Sequence, residues 1–238
     1  MNIGLIDYGA GNLRSVANAL KALGFAPTLV KDSSDMPGLS HVVLPGVGSF
    51  GDCMAELERR GLVEPLRSWI RAGKPYLGFC LGYQVLFEHS EESPGVAGLG
   101  VMRGSVTRFP ESSEWKIPHM GWNSALPLRP DVGVWSGLGS EPYFYFVHSY
   151  APAPLDASHI SARSSYAGID FASAVCLRPG RWPDRVLLRW LARVDERALA
   201  KWRAKLAQPA GVPPPGGTGA AGVAAGSSAG GRSASRPT

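Results

Sequence analysis

Cys80 stands between two glycines in Gly78-Phe79-Cys80-Leu81-Gly82. A short apolar stretch, residues 74–79, leads into it, and a helix-forming run, Gln84-Val85-Leu86-Phe87-Glu88, follows. Strand, sharp turn and helix make a nucleophile elbow, written here with Cys in place of Ser. Such a turn is strained, so neighbours without a Cβ are needed beside the nucleophile. A thiol at the amino end of a helix meets a partial positive charge that favours thiolate. A thiolate so placed can attack a carbonyl and form an acyl-enzyme. The same pentapeptide also suits a buried structural cysteine in a glycine-rich turn. A second loop, Pro45-Gly46-Val47-Gly48, follows the apolar run His41-Val42-Val43-Leu44. Small residues there let the backbone approach a ligand and offer it N–H groups; an ordinary strand-to-helix turn is the plainer alternative.

The elements that must position these loops alternate along the first half. Residues 2–8, 26–30, 41–45 and 75–79 read as strands; residues 13–23, 50–60 and 62–72 read as helices. This rhythm predicts an α/β fold, a mostly parallel central sheet with helices on both faces. Sites in such sheets lie at the carboxyl ends of strands, where both glycine loops fall. In the second half, residues 101–109 and 143–150 are strand-prone, and short strands separated by Gly, Pro and Ser are expected.

Composition sets the outer limits. The 238 residues, 45% hydrophobic, predict one globular domain over 1–207. Residues 208–238 are Gly, Ala, Ser and Pro with few large apolar side chains, which predicts a disordered low-complexity tail. Cys53, Cys80 and Cys176 are odd in number and widely spaced, which suggests neither a disulfide framework nor a metal site, and fits a reducing compartment. The opening residues read as a strand rather than a signal peptide, and no apolar run approaches membrane-span length, so a cytoplasmic protein is expected. The net charge of +5 is uneven: residues 176–238 hold nine Arg and two Lys against three acidic residues, which leaves the rest at −3. A mildly acidic body argues against nucleic-acid binding.

Five motifs then fall in one order: residues 7–16 (Asp-Tyr-Gly-Ala-Gly-Asn-Leu-Arg-Ser-Val), 44–50 (Leu-Pro-Gly-Val-Gly-Ser-Phe), 78–84, 118–123 (Pro-His-Met-Gly-Trp-Asn) and 145–150 (Tyr-Phe-Val-His-Ser-Tyr). Together they resemble the glutamine amidotransferase subunit family of imidazole glycerol phosphate synthase, a class I amidotransferase, over roughly residues 1–175. The resemblance implies a glutaminase of histidine biosynthesis that passes ammonia to a (β/α)8-barrel cyclase subunit, with no metal or organic cofactor. It implies that Cys80 attacks the side-chain amide of glutamine, and that Gly46, Val47, Gly48 and the N–H of Leu81 serve the oxyanion. Gln84, Ser149 and Tyr150 match positions that hold the amino-acid end of the substrate. His119, Met120, Trp122, Asn123 and Tyr145 resemble the surface that faces the partner, where aromatics with polar handles are favoured.

One part of the pattern is missing. A cysteine amidotransferase needs a histidine to move protons and a carboxylate to orient it. The family supplies both in a late Gln-Phe-His-Pro-Glu segment. Laid on without gaps, those positions fall near Leu187 and Arg189, and no histidine follows His159. Three explanations stand: a reading frame shifted near residue 175, a subunit impaired as a glutaminase that still binds its partner, or a histidine elsewhere, for which His148 is the candidate. A sister amidotransferase of another pathway is a further alternative. Residues 184–206 carry apolar side chains at helical spacing, which speaks for a genuine late helix.

Overall fold

The computed structural model of the chain describes residues 1–130, 133–135 and 138–177. The late helix expected at 184–206, the positions Leu187 and Arg189, and the tail at 208–238 lie outside the described residues.

Four short strands form one parallel sheet: β1 (Ile3–Ile6), β2 (Thr28–Val30), β3 (His41–Leu44) and β4 (Tyr76–Gly78), in the order β2-β1-β3-β4. The pleat sends alternate side chains to opposite faces. Ile3, Leu5 and Val43 face one side and pack with Leu20 and Val16 of α1 (Leu13–Ala22). Ile6, Val42 and Leu44 face the other, against Phe50 and Leu57 of α2 (Phe50–Arg59) and Leu66 and Ile70 of α3 (Val63–Arg71). The α/β architecture with helices on both faces is the one expected. Helix starts follow from capping side chains. Asn12 accepts the Ser15 N–H at 3.2 Å, and Ser49 accepts the Asp52 N–H at 3.2 Å. Two side chains from a distant loop complete the start of α2: Glu92 takes the Phe50 N–H at 2.7 Å and Ser93 takes the Gly51 N–H at 2.9 Å.

The helix that follows Cys80 is shorter than the sequence suggests. α4 spans only Leu81–Gln84, not residues 84–88. The carbonyls of Val85, Phe87 and Glu88 accept from the N–H groups of Leu99, Gly100 and Gly98, so they cannot continue a helical ladder. The chain instead enters β5 (His89–Ser90), which pairs with β6 (Gly104–Arg108).

The second half is built of short strands. β7 (His119–Ser124), β8 (Leu126–Pro127), β9 (Tyr143–His148), β10 (Tyr150–Pro154), β11 (Ile160–Tyr166) and β12 (Ile169–Val175) distribute over three small sheets, ordered β10-β6-β5, β12-β11-β8 and β7-β9. The run at 143–150 is not one strand. It breaks at Ser149, whose carbonyl turns aside to accept the Phe109 N–H at 3.0 Å. β9 therefore belongs to a ribbon with β7, and β10 to the sheet with β6.

Candidate active site

The elbow is set by backbone contact. Cys80 has φ 53° and ψ −112°, a left-handed conformation rare for a residue with a Cβ. A Cβ on Gly78 would run into the Gly82 carbonyl, and one on Gly82 into the Leu44 carbonyl at the end of β3. Gly46 is as constrained, because its Cβ would strike Leu81. Three glycines thus let β3, the Gly46 loop and α4 meet backbone to backbone. The Tyr76 hydroxyl donates to the Gly82 carbonyl at 2.6 Å and ties α4 to β4.

Cys80 is open to solvent on one side, yet the protein around it raises the thiol pKa above its ordinary value. Desolvation is the main cause; the Leu81 N–H at the thiol opposes it, and the charge of Glu92 adds to it. The expected thiolate, favoured by a helix terminus, is therefore not the resting form. A four-residue helix carries too little dipole to outweigh desolvation. Glu92, on the Ser90-Glu91-Glu92-Ser93 loop, had no signature in the sequence; it is brought here by capping α2.

The Gly46 loop meets α4 at Leu81. Gly48 has φ +99°, and no atom lies within 4 Å of where its Cβ would stand. Val47 departs from the expected donor set: its N–H donates to the Tyr8 hydroxyl at 3.0 Å. The Leu81 N–H remains at the thiol.

Gln84 is buried, and its side-chain amide donates to the Tyr150 carbonyl at 3.2 Å. The same carbonyl lies 2.9 Å from His148 Nδ1, while His148 Nε2 lies 3.0 Å from His119 Nδ1. Both rings are held neutral. Burial lowers His148, and burial with the His148 ring beside it lowers His119 to about 4. With both its nitrogens committed, His148 has none left to serve as a base for Cys80; that explanation of the missing histidine is corrected. Ser149 sits at the strand break between His148 and Tyr150.

The ribbon has two unlike faces. In register, Met120 pairs with Val147 and Trp122 with Tyr145. Met120, Tyr145 and Val147 are 60%, 56% and 51% exposed, and the Trp122 and Tyr145 rings meet edge-to-face at 5.7 Å. His119 and Asn123 lie on the opposite face. His119 is 3% exposed, and Asn123 donates to the Ser165 carbonyl at 2.8 Å. The period-two pleat thus sets these two of the expected docking residues on the face away from Met120 and Tyr145.

A cleft of ≈ 710 Å³ is lined by Cys80, Tyr83, Gln84, His148, Tyr150 and His159, among others. Among the described residues no cluster of His, Cys, Asp and Glu could hold a metal ion. No helix among them is long and apolar enough to cross a membrane.

Comparison with known proteins agrees with this geometry. The family profile described as glutamine amidotransferase class-I matches residues 4–173. An imidazole glycerol phosphate synthase subunit HisH of Desulfitobacterium hafniense is 43% identical over 204 residues, covering 86% of this chain and 90% of that protein. Since 86% of the chain reaches beyond residue 177, that match runs past Leu177. The protein of the same name from Aromatoleum aromaticum is 45% identical over 183 residues, covering 73% of this chain and 84% of its own length. Among solved structures, a glutamine amidotransferase superposes with a TM-score of 0.56 at 18% identity, over 87% of this chain and 98% of that one. PurLQS from Thermotoga maritima gives 0.54 at 20% identity, over 69% and 74%. At these identities the two structures speak for the fold alone.

Proposed function

The chain belongs to the class-I glutamine amidotransferase family, with relatives of the HisH type, and from that premise we propose that it is the glutaminase subunit of imidazole glycerol phosphate synthase in histidine biosynthesis. It hydrolyses glutamine to glutamate and ammonia and hands the ammonia to a cyclase subunit. The observation that carries this reading is Cys80, held at φ 53° beneath a glycine loop with the Leu81 N–H at its thiol.

The chemistry follows from that placement. The Cys80 sulfur attacks the side-chain amide carbon of glutamine, and the carbonyl oxygen takes the negative charge. In this reading the Leu81 N–H stabilises that oxyanion, together with the Gly46 loop that packs against Leu81. Collapse expels ammonia and leaves a glutamyl thioester at Cys80; water then releases glutamate. The thiol proton goes to the departing nitrogen. Because desolvation keeps Cys80 protonated, this transfer needs a base. Gln84, Ser149 and Tyr150 hold the amino-acid end of the substrate in this reading, and Glu92 is a carboxylate whose field reaches the thiol and suits an ammonium group.

The partner in this reading is a (β/α)8-barrel cyclase subunit that docks on the outer face of the ribbon. Met120, Trp122, Tyr145 and Val147 form an apolar, aromatic patch of the kind that anchors interfaces. An odd number of widely spaced cysteines suits a reducing cytoplasm.

One observation favours a second reading, a glutaminase-impaired subunit that still docks. No histidine follows His159, and His148 is committed to Tyr150 and His119. Loss of a general base in such sites costs roughly 10⁴ or more in rate. The relative that matches past Leu177 weighs against a frame shift near residue 175, and its name and that of the Aromatoleum protein give a sister pathway no support. Glutamate release by the full chain, alone and with the cyclase, decides. Release that disappears in Cys80→Ala supports the glutaminase. Partner binding with no release at any glutamine concentration supports the impaired subunit.

A further inference from the structure

We infer that His148 is a positioning residue of the glutamine site, holding the Tyr150 carbonyl, and through it Gln84, at the end of a one-way hydrogen-bond chain that begins on the docking ribbon. This rests on the glutaminase reading and adds a residue that reading does not use.

The direction of the chain is fixed from both ends. A carbonyl only accepts, so the His148 Nδ1 that lies 2.9 Å from Tyr150 O carries the hydrogen. In a neutral ring the Nε2 is then an acceptor, and it receives the His119 Nδ1–H at 3.0 Å. His119 Nε2 in turn accepts, and the Asn123 amide nitrogen faces it at 3.4 Å. That amide cannot be reversed. Its oxygen accepts the Ser124 N–H at 2.8 Å and its nitrogen donates to the Ser165 carbonyl at 2.8 Å. One tautomer of each histidine satisfies every link. Aromatic walls keep the rings in place: His119 stacks on Tyr166 at 4.1 Å, and Phe171 lies 5.1 Å from His148.

The chain ends where substrate would sit. Tyr150 O receives both His148 Nδ1–H and the Gln84 amide, so the orientation of Gln84 depends on a carbonyl that His148 fixes. It begins on the ribbon, because His119 and His148 are a cross-strand pair of β7 and β9, next to the Met120–Val147 pair on the opposite face. A protonated ring would turn one acceptor into a donor and break the chain.

The test uses the full-length chain and a chloroketone analogue of glutamine, which alkylates Cys80 with loss of chloride. Iodoacetamide reports the reactivity of the thiol by itself. His148→Phe is expected to raise the half-saturating chloroketone concentration about tenfold, the value of one hydrogen bond, with the iodoacetamide rate unchanged. His148→Asn, whose amide can reach the same carbonyl, restores most of the native value, which a merely structural role would not allow. Should the Phe variant not fold, His148→Gln, with an amide reaching toward His119 but no donor at the Nδ1 position, is expected to show the same rise. An unchanged half-saturation in Phe or Gln, or an Asn variant no better than either, overturns the role of His148 alone. A native chain that does not react saturably with the chloroketone overturns the glutaminase reading and this inference together.

Discussion

Tyr8 and Val47 are joined twice: the Val47 N–H donates to the Tyr8 hydroxyl at 3.0 Å, and the hydroxyl donates to the Val47 carbonyl at 3.2 Å. Tyr8 is fully buried, and burial raises its pKa, so the hydroxyl stays protonated and able to do both. Tyr8→Phe leaves two backbone groups of the Gly46 loop without that partner. The expected cost is about 1–3 kcal/mol, read as a lower urea midpoint with an unchanged slope. Hydrogen exchange at the Val47 amide should quicken in the variant. A midpoint and exchange rate equal to the native values would show that the loop is held by something else.

Strain at Cys80 can be separated from its chemistry. Cys80→Ala and Cys80→Gly both remove the thiol and should both abolish glutamate release. Only Ala keeps a Cβ at φ 53°. Backbone strain of this kind costs about 1–3 kcal/mol, and glycine returns about 0.5–1 kcal/mol of that as lost chain entropy. The Gly variant is therefore expected to be the more stable of the two, by roughly 1 kcal/mol, in parallel urea titrations. A Gly variant less stable than Ala by about 0.5–1 kcal/mol, the entropy term alone, would mean that the elbow stores no strain.

Much of this elbow was legible in the sequence because glycine spacing reports backbone approach directly. Gly46, Gly78 and Gly82 each sit where a Cβ would strike another segment. The boundaries of α2 and α3 were legible for a similar local reason: Ser49 caps one helix, and apolar spacing marks both. What could not be read depends on partners far along the chain. The brevity of α4 follows from carbonyls that bond to residues 98–100, and the break at Ser149 from Phe109. The bonds of Tyr8 to Val47 and of Glu92 to Phe50 span 39 and 42 residues. Nothing local distinguished the inward face of the ribbon from its outward face, so His119 and Met120 looked alike until the pleat placed them.

Gly82 and Gly48 should respond differently to alanine. At Gly82 the new Cβ meets the Leu44 carbonyl, a backbone atom that cannot move aside cheaply. The expected loss is about 3 kcal/mol or more, with little soluble protein. At Gly48 the space is open and only φ +99° resists, so the loss is expected near 1–2 kcal/mol with folding intact. Glutaminase activity in a folded Gly48→Ala chain reports how far the loop geometry serves the oxyanion.

The histidine pair makes stability depend on pH with a definite sign. His119 is lowered from 6.5 to about 4, and His148 is lowered as well. Between those values the unfolded chain binds protons that the folded chain does not. The contribution is complete above about pH 6.5 and is lost as pH falls toward about 4. Urea midpoints should therefore drop from pH 7.5 to pH 5, and drop less in His119→Phe. An equal drop in both chains would assign the acid sensitivity to other groups.

Tyr145 tests the proposed docking face without disturbing the core. Its ring is 56% exposed and touches Trp122 edge-to-face, so Tyr145→Arg removes little buried area. Stability should stay within about 0.5 kcal/mol of native. Central aromatics of an interface, by contrast, commonly carry about 2 kcal/mol or more of binding, and a bulky charge in their place adds a desolvation cost. Affinity for the cyclase is expected to fall by about thirtyfold or more, measured by titration calorimetry. Partner-stimulated ammonia transfer should fall with it, while chloroketone alkylation of Cys80 in the isolated chain stays native. Undiminished affinity would move the partner to another face of the molecule.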